Sequence, residues 1–535
     1  MSRRVGWLPQ ARWKRWLLFI GIAGFLLISL LVTLAFTGFL LWRSPRIQGW
    51  VMMKMLGHEV RQPGQIPSPP LLSAAEKGLL STNATMIRKA GDLFQPDKVW
   101  DVHLQFTSNQ WTKLGPNTVP PVLNFMRPDG SIVLRNPQAS RNGLAGVFGL
   151  DFPWSEATID FGDTHFEKVG ARFKGNGTFV NSQRSYKRPY KIDLNRNIKS
   201  QELAGRTTLN FHNLTADASC LSDTLAYEFF RNAGVPASRT AFARMRLSIE
   251  DLFRDRLLGL YVLVENPDSQ WAREQFDCDG VALFKPVTYE LFKDLGEDWH
   301  AYEGIYDPKT KLKTKQCRRL IALARLVTHA SKDQFEQGVG DFVDLKEFAR
   351  FLACEVILSN YDGFLSNGQN FLIYLDPKTE KFGFVPWDLD HCWGEFPYYG
   401  TIQQRERASI WHPWVGENRF LERMLGVPQF RDLYRRELER VRTTLFVPER
   451  LSARLDELAE VVRPFITEES SRRLARFTRE VSEDVAATLT NSPAVEQQQS
   501  RGFRLKRFFD ARAASVSEQI EGRSQGVILT RASRR

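Results

Sequence analysis

The sequence predicts an α+β fold of two lobes, a β-rich half followed by a helical half, with one transmembrane helix ahead of both. Three observations carry this expectation. The chain begins with a long uncharged apolar run, period-two patterns dominate the next stretch, and from about residue 310 the apolar period becomes helical. Hydrophobic residues make up 43% of the 535 and charged residues 25%, which excludes wholesale disorder. Lys plus Arg number 73 against 61 Asp plus Glu, a net charge of +12. That excess suits an anionic neighbour: a membrane surface, a nucleic acid or a phosphorylated ligand.

The elements follow in order. Residues 17–42, LLFIGIAGFLLISLLVTLAFTGFLLW, are 26 residues without a charge. About 20 apolar residues suffice to cross a bilayer, and the run is too long for a cleaved signal peptide. Arg3, Arg4, Arg12, Lys14 and Arg15 precede it, fewer basic residues follow, and Trp13, Trp16 and Trp42 stand at its ends. The expectation is a single-pass cell-membrane protein, with residues 1–16 cytoplasmic and the main domain extracytoplasmic. A juxtamembrane linker spans 43–97, with the stiff piece QPGQIPSPP at 62–70 and a helix over 73–92.

The β-rich N-lobe spans 98–290. Its strands are VWDVHLQF (99–106), ATIDFG (157–162), EKVGARFKG (167–175), RPYKIDLN (188–195), AFARMRLSI (241–249) and LGLYVLVE (258–265). A helix at 219–234 interrupts them, with Leu221, Leu225, Phe229 and Phe230 at helical spacing and Gly234 as C-cap. The helical C-lobe spans 291–495, with helices over 315–335, 343–360, 417–443 and 448–465. One hairpin breaks that run: FLIYLD (371–376), the turn PKTEK, then FGFVPWD (382–388). The tail, 496–535, is basic; its RGFRLKRFF (501–509) reads as a solvated helix end or as an amphipathic piece at membrane lipid. The five cysteines lack CxxC spacing, which argues against a zinc ribbon or a thioredoxin-type site. Buried thiols and a Cys278–Cys317 disulfide are both compatible with their positions.

Four stretches carry candidate chemistry. In VPWDLDHCWG (385–394) a hydrophobic strand ends in Asp388 and Asp390, a pair suited to Mg2+ or Mn2+ held by few carboxylates plus phosphate oxygens. Upstream, LSNYDGFLSNGQNFLIY (358–374) presents Asp362, then Asn367, then Asn370 against the strand. An aspartate, an asparagine and a hairpin ending in a second aspartate is how protein kinases arrange catalytic base and metal ligands. In ARFKGNGTF (171–179), Gly175 and Gly177 permit close backbone approach to phosphate. Lys187 and Lys191 lie on or entering the next strand, with Lys191 on the face opposite Tyr190, Ile192 and Leu194. Glu265 ends a strand that reads as a hinge between lobes or as an edge, and Lys285 in LFKPV faces the cleft or solvent. His391, beside Asp390, reads as structural rather than as a ligand.

In this order and spacing, RFKGNGT, K-x-x-Y-K-I, LSDTLAYEFFRNAGVPASRT, GLYVLVE, LFK, NYDG…NFLIY and VPWDLDHCWG resemble the CotH (spore coat protein H) kinase family of atypical protein-kinase-like proteins. The resemblance covers roughly residues 98–470. It implies a bilobal kinase-like fold and transfer of the ATP γ-phosphoryl group to protein hydroxyls, with ATP and Mg2+ or Mn2+ as cofactors. It makes Asp362 the catalytic aspartate and Asp388 a metal ligand, with Asp390 in support and Asn370 or Asn367 beside them. Gly175 and Gly177 become the nucleotide loop and Lys187 or Lys191 the phosphate contact; beside these, Glu265 and Lys285 are kept as candidate nucleotide-binding positions. Where the family helix leads us to expect an arginine, this chain has Ser222 and Asp223. Asp223 and Glu228 are both candidates for an acid that pairs with the lysine. Two other readings compete: a metal-dependent glycosyltransferase using Asp-x-Asp, which the antiparallel-looking first half argues against, and a non-catalytic surface or adhesion protein of kinase-like shape. The protein substrate is not legible. The spread of charge favours membrane surface and phosphate ligands over nucleic acid.

Overall fold

The computed structural model describes residues 72–122, 136–140, 144–175, 177–182, 185–366, 368–482 and 504–530. Its first half is a ring of seven strands. These are β1 (Val99–Phe106), β2 (Ser155–Phe161), β3 (Thr164–Phe173), β4 (Tyr190–Asp193), β5 (Thr208–His212), β6 (Thr240–Ile249) and β7 (Phe253–Glu265). Their spatial order is β1-β2-β3-β4-β5-β7-β6, each neighbouring pair antiparallel. The ring closes where β6 runs parallel to β1, from Val99 opposite Phe242 to Phe106 opposite Ile249. Alternation puts every second side chain inside. Leu104, Ile159, Tyr190, Phe211 and Leu247 are fully buried and belong to five different strands. A small barrel is filled by such side chains, and closure removes the exposed edges of a sheet.

α1 (Ser222–Ala233) leaves the barrel after β5 and ends at Gly234, whose φ of +84° supplies the left-handed cap that the sequence calls for. After β7, Asp268 caps the short α2 (Ser269–Phe276) through the N–H groups of Gln270 and Trp271. The expected hairpin forms as β9 (Phe371–Leu375) and β10 (Phe382–Pro386). A third strand joins it: β8 (Ala282–Phe284), which the sequence groups with the first half, pairs antiparallel with β9.

The remainder is helical: α3 (Thr314–His329), α4 (Lys332–Phe342), α5 (Leu345–Ile357), α6 (Pro428–Thr444), α7 (Pro448–Glu469), α8 (Ser471–Val481) and α9 (Leu505–Ile520). The single helix expected over 315–335 is two, because Ser331 forms a capping box with Gln334 and starts α4. Around α5, Phe348 packs tilted and Phe351 stacks on Phe384 of β10 at ring separations of 4.5 and 5.2 Å. This aromatic packing fixes the hairpin against the helical half.

Several expectations are corrected. The β-rich half is a closed barrel rather than the N-lobe of a bilobal kinase-like fold, because a parallel pairing between strands far apart in sequence shuts it. The transmembrane helix, the single-pass membrane partner and the cell-membrane placement with an extracytoplasmic main domain are withdrawn. Among the described residues no helix is long and apolar enough to cross a membrane. The longest, α7, carries charged side chains along its whole length. The run 17–42 and the Pro-rich piece 62–70 themselves lie outside the described residues. The basic tail contains α9, neither solvated nor lipid-facing: Leu505, Phe508, Phe509 and Val516 are buried in the helical half. All five cysteines are free, so the Cys278–Cys317 disulfide does not form.

Candidate active site

A cavity of about 440 Å³ opens where the ends of β3, β4 and β7 meet the three-stranded sheet. One wall carries Arg172, Lys174, Gly175 and Lys191; the other carries Lys285, Asn370, Trp387 and Asp388. The lysine nitrogens define its chemistry. Lys174 Nζ is buried with no hydrogen-bond partner among the described residues and lies 5.3 Å from the centre of the Trp387 ring. Burial pushes it down to about 8, against the pull of Asp388 and Asp223. Lys285 Nζ lies 5.7 Å from the same ring, and burial with the charge of Lys309 brings it to about 8. Lys191 Nζ donates to Asn266 Oδ1 at 3.2 Å. Burial, then repulsion from Arg172, Lys174 and Lys309, takes it to about 7. Cations held so far below their ordinary value regain charge beside an anion. Gly175 turns the chain here at φ +77°, and a Cβ on it would meet Thr178 Oγ1 at 2.4 Å.

Asp388 faces these lysines from a left-handed turn, φ +59°. α1 holds that turn. The Asp388 N–H donates to the Tyr227 hydroxyl at 3.0 Å, and the Leu389 N–H donates to Asp223 Oδ1 at 2.9 Å. Asp223 Oδ2 bonds His212 Nδ1 at 2.8 Å, and His212 Nδ1 lies 3.7 Å from Asp388 Oδ1. Burial pushes the Asp388 carboxyl up, but His212, Lys174 and Lys285 outweigh it and hold the group below the usual carboxylate range.

Next to Asp388, ligand atoms of Asp362, Asp390 and His391 all lie within 4.8 Å of one another. Burial, then Asp388, Asp223 and Asp362, raise the Asp390 carboxyl well above the usual range. Burial pushes His391 down, against Asp388 and Asp223, so its imidazole is neutral near pH 7. Asn370, at φ +60°, ties the Asp362 loop to the hairpin: its Nδ2 donates to the Asp362 carbonyl at 2.8 Å and to Asp362 Oδ2 at 3.2 Å. Asp388 and Asn370, on the wall of a lysine-lined cavity, fit a divalent cation with phosphate oxygens.

Of the residues named from sequence, Gly175, Lys191, Lys285, Asn370 and Asp388 line the cavity. Asp390 lines a small adjoining recess together with Lys174, Gly175 and Asp388. Three others stand apart, and a fourth is not described. Lys187 Nζ is ion-paired with Glu469 of α7. Glu265 is fully buried and gripped by Arg206 and Arg239, so it is neither hinge nor edge, and its neighbour Asn266 reaches the cavity instead. Gly177 starts a short helix, Gly177–Asn181, with no atom near its would-be Cβ. Asn367 lies outside the described residues. Glu228 pairs with Arg454, leaving Asp223 as the α1 acid at the site. Sequence reasoning missed Lys174, although it adjoins Gly175 in the quoted RFKG, and it missed the position of His391 against two carboxylates.

The family model described as CotH kinase protein matches residues 171–515, which take in the cavity, α1 and the hairpin. The inner spore coat protein H of Bacillus subtilis (strain 168) is 27% identical over 271 residues, covering 49% of this chain and 70% of that protein. Among solved structures, the Shewanella oneidensis MR-1 toxin–antitoxin complex of HipA and HipB with operator DNA aligns at 13% identity with a TM-score of 0.23. That alignment covers 54% of this chain and 63% of the other, under two thirds of its length.

Proposed function

The chain belongs to the CotH kinase protein family, and from that premise we propose that its cavity binds ATP with a divalent cation and transfers the γ-phosphoryl group to a protein hydroxyl. The observation that carries this reading is the convergence of Lys174, Lys191 and Lys285 with Asp388 on one cavity. Phosphoryl transfer needs positioning and charge neutralisation more than covalent chemistry from the protein. The three lysines, their charge suppressed by burial, meet phosphate oxygens and regain it. Asp388 and Asn370 would hold Mg2+ or Mn2+, which supplies neutralisation of the β- and γ-phosphates when bound. Asp362, oriented by Asn370, takes the proton of the acceptor hydroxyl.

The test uses the purified full chain, γ-labelled ATP, Mg2+ or Mn2+ and a generic acceptor protein. Label is expected in the acceptor or in the chain itself. Asp388→Ala abolishes both ATP binding and transfer, whereas Asp362→Ala abolishes transfer and leaves binding largely intact. Equal transfer by the two variants and the unaltered chain rejects the residue assignment, and absence of ATP binding by the unaltered chain rejects the reading.

A further inference from the structure

Asp390 is only 9% exposed, and its carboxylate makes no hydrogen bond or ion pair among the described residues. His391 Nδ1 is buried without a hydrogen-bond partner there too. Buried polar groups are ordinarily satisfied, and each one left unmatched costs free energy. Here that unmatched imidazole lies together with Asp390 and Asp362, all three offering ligand atoms within 4.8 Å of one another. No described cation makes an ion pair with Asp390; Lys174 and Lys285 lie over Trp387 and favour the ionised form of Asp388 instead. Asp362 is already oriented by Asn370 Nδ2, the kind of outer contact that fixes a metal ligand. A cation on the cluster would satisfy the carboxylate and the imidazole at once.

The imidazole sets the class of cation. Mg2+ prefers oxygen ligands and water, whereas nitrogen donors favour first-row transition ions, with affinity rising from Mn2+ towards Zn2+. We propose that Asp362, Asp390 and His391 form a site for a first-row transition divalent cation, separate from the metal that accompanies nucleotide and selective against Mg2+. The proposal goes beyond the phosphoryl-transfer reading and needs no nucleotide, so the two can fail separately.

Mn2+ alone is titrated into the metal-stripped full chain and followed by loss of the free-ion EPR signal, with Zn2+ and Mg2+ as competitors. One Mn2+ is expected to bind, to be displaced readily by Zn2+, and to resist Mg2+ up to about a 100-fold excess. His391→Asn lowers Mn2+ affinity at least about tenfold. Asp390→Asn abolishes binding, and Asp388→Asn retains it. Thermal unfolding guards against misfolded variants. Without metal, Asp390→Asn unfolds at no lower a temperature than the unaltered chain, because the side chain it replaces makes no hydrogen bond or ion pair among the described residues. Added Mn2+ raises the midpoint of the unaltered chain and of Asp388→Asn but not of Asp390→Asn. Failure of the unaltered chain to bind Mn2+, equal displacement by Mg2+, or full affinity in His391→Asn overturns the proposal. So does equal loss in Asp388→Asn and Asp390→Asn, which assigns the ion to the nucleotide's own position. ATP binding measured on the same samples without Mn2+ tests the other reading independently.

Discussion

Lys174 and Lys187 come from one short stretch of chain, and their nitrogens meet opposite surroundings. Lys187 Nζ is matched by Glu469, whose Oε2 also accepts the Leu260 N–H at 3.2 Å, so this lysine joins α7 to the barrel. Lys174 Nζ lies over the face of Trp387 and has no hydrogen-bond partner among the described residues. A charge-assisted hydrogen bond contributes about 1.5–3 kcal/mol, so Lys174→Met should weaken ATP binding by roughly 10- to 100-fold. Lys187→Met should instead lower the thermal midpoint and leave ATP affinity unchanged. Calorimetric titration checks both, and it carries a pH signature. Free Lys191 sits at about 7 and Lys174 and Lys285 at about 8, all depressed first by burial. A polyanion favours their charged forms. Binding at pH 8 should therefore take up protons, and affinity should fall as pH rises from about 7 to about 9. Proton release, read from buffers of unequal ionisation enthalpy, would contradict the lysine assignment.

Among the elements, α1 does most to shape the site. Asp223 and Tyr227 stand one turn apart on it and take the N–H groups of Leu389 and Asp388. These two bonds hold a non-glycine residue at φ +59°, a conformation that costs of order 1–3 kcal/mol. Tyr227→Phe removes the acceptor and leaves a backbone N–H unmatched, a loss of about 1–3 kcal/mol. The expected result is faster amide exchange at Asp388 and Leu389 and weaker ATP binding, with the barrel strands still protected. Unchanged exchange at these two amides would show that the turn holds itself. The helix was legible in the sequence, since Leu225, Phe229 and Phe230 give its period and Gly234 its end. Its task was not, because a bond from Asp223 to Leu389 depends on elements far apart in the chain. The hairpin was legible for the same local reasons. β8 joining it, and β6 closing the barrel on β1, were not, because strand patterns carry no information on distant partners. The strand face of Lys191 was legible, and that residue lines the cavity, while the choice between it and Lys187 was not; Lys174, at a strand end, had no face to read.

At the scale of the whole molecule, α9 bears on the site through α5. Apolar residues at 505, 508, 509, 513 and 516 follow helical spacing, but Arg512 lies in the same buried stripe and disguises it. Arg512 is there for a reason. Its guanidinium donates to the carbonyls of Val356 at 2.8 Å and Ile357 at 3.3 Å, the end of α5, and to Ala408 at 2.6 Å. The last carbonyls of a helix lack intrahelical partners, and a cation there also meets the negative end of the helix dipole. Burial brings Arg512 down to about 10, which leaves it charged at neutral pH. The loop that carries Asp362 begins where α5 ends, so this contact sets the platform from which the aspartate projects. Arg512→Met keeps the bulk but takes the guanidinium from all three carbonyls; Val356 keeps the Ser359 N–H and Ala408 keeps Gln519 Nε2, while Ile357 loses its donor. It should cost about 3 kcal/mol or more, lower the thermal midpoint and speed amide exchange through residues 358–366 ahead of the barrel. Removing residues 504–530 should do more, uncovering the apolar surface beneath Phe508 and Phe509 and giving a protease-sensitive chain that binds a hydrophobic dye. A truncated chain with the unaltered melting curve would show that α9 is dispensable to the helical half.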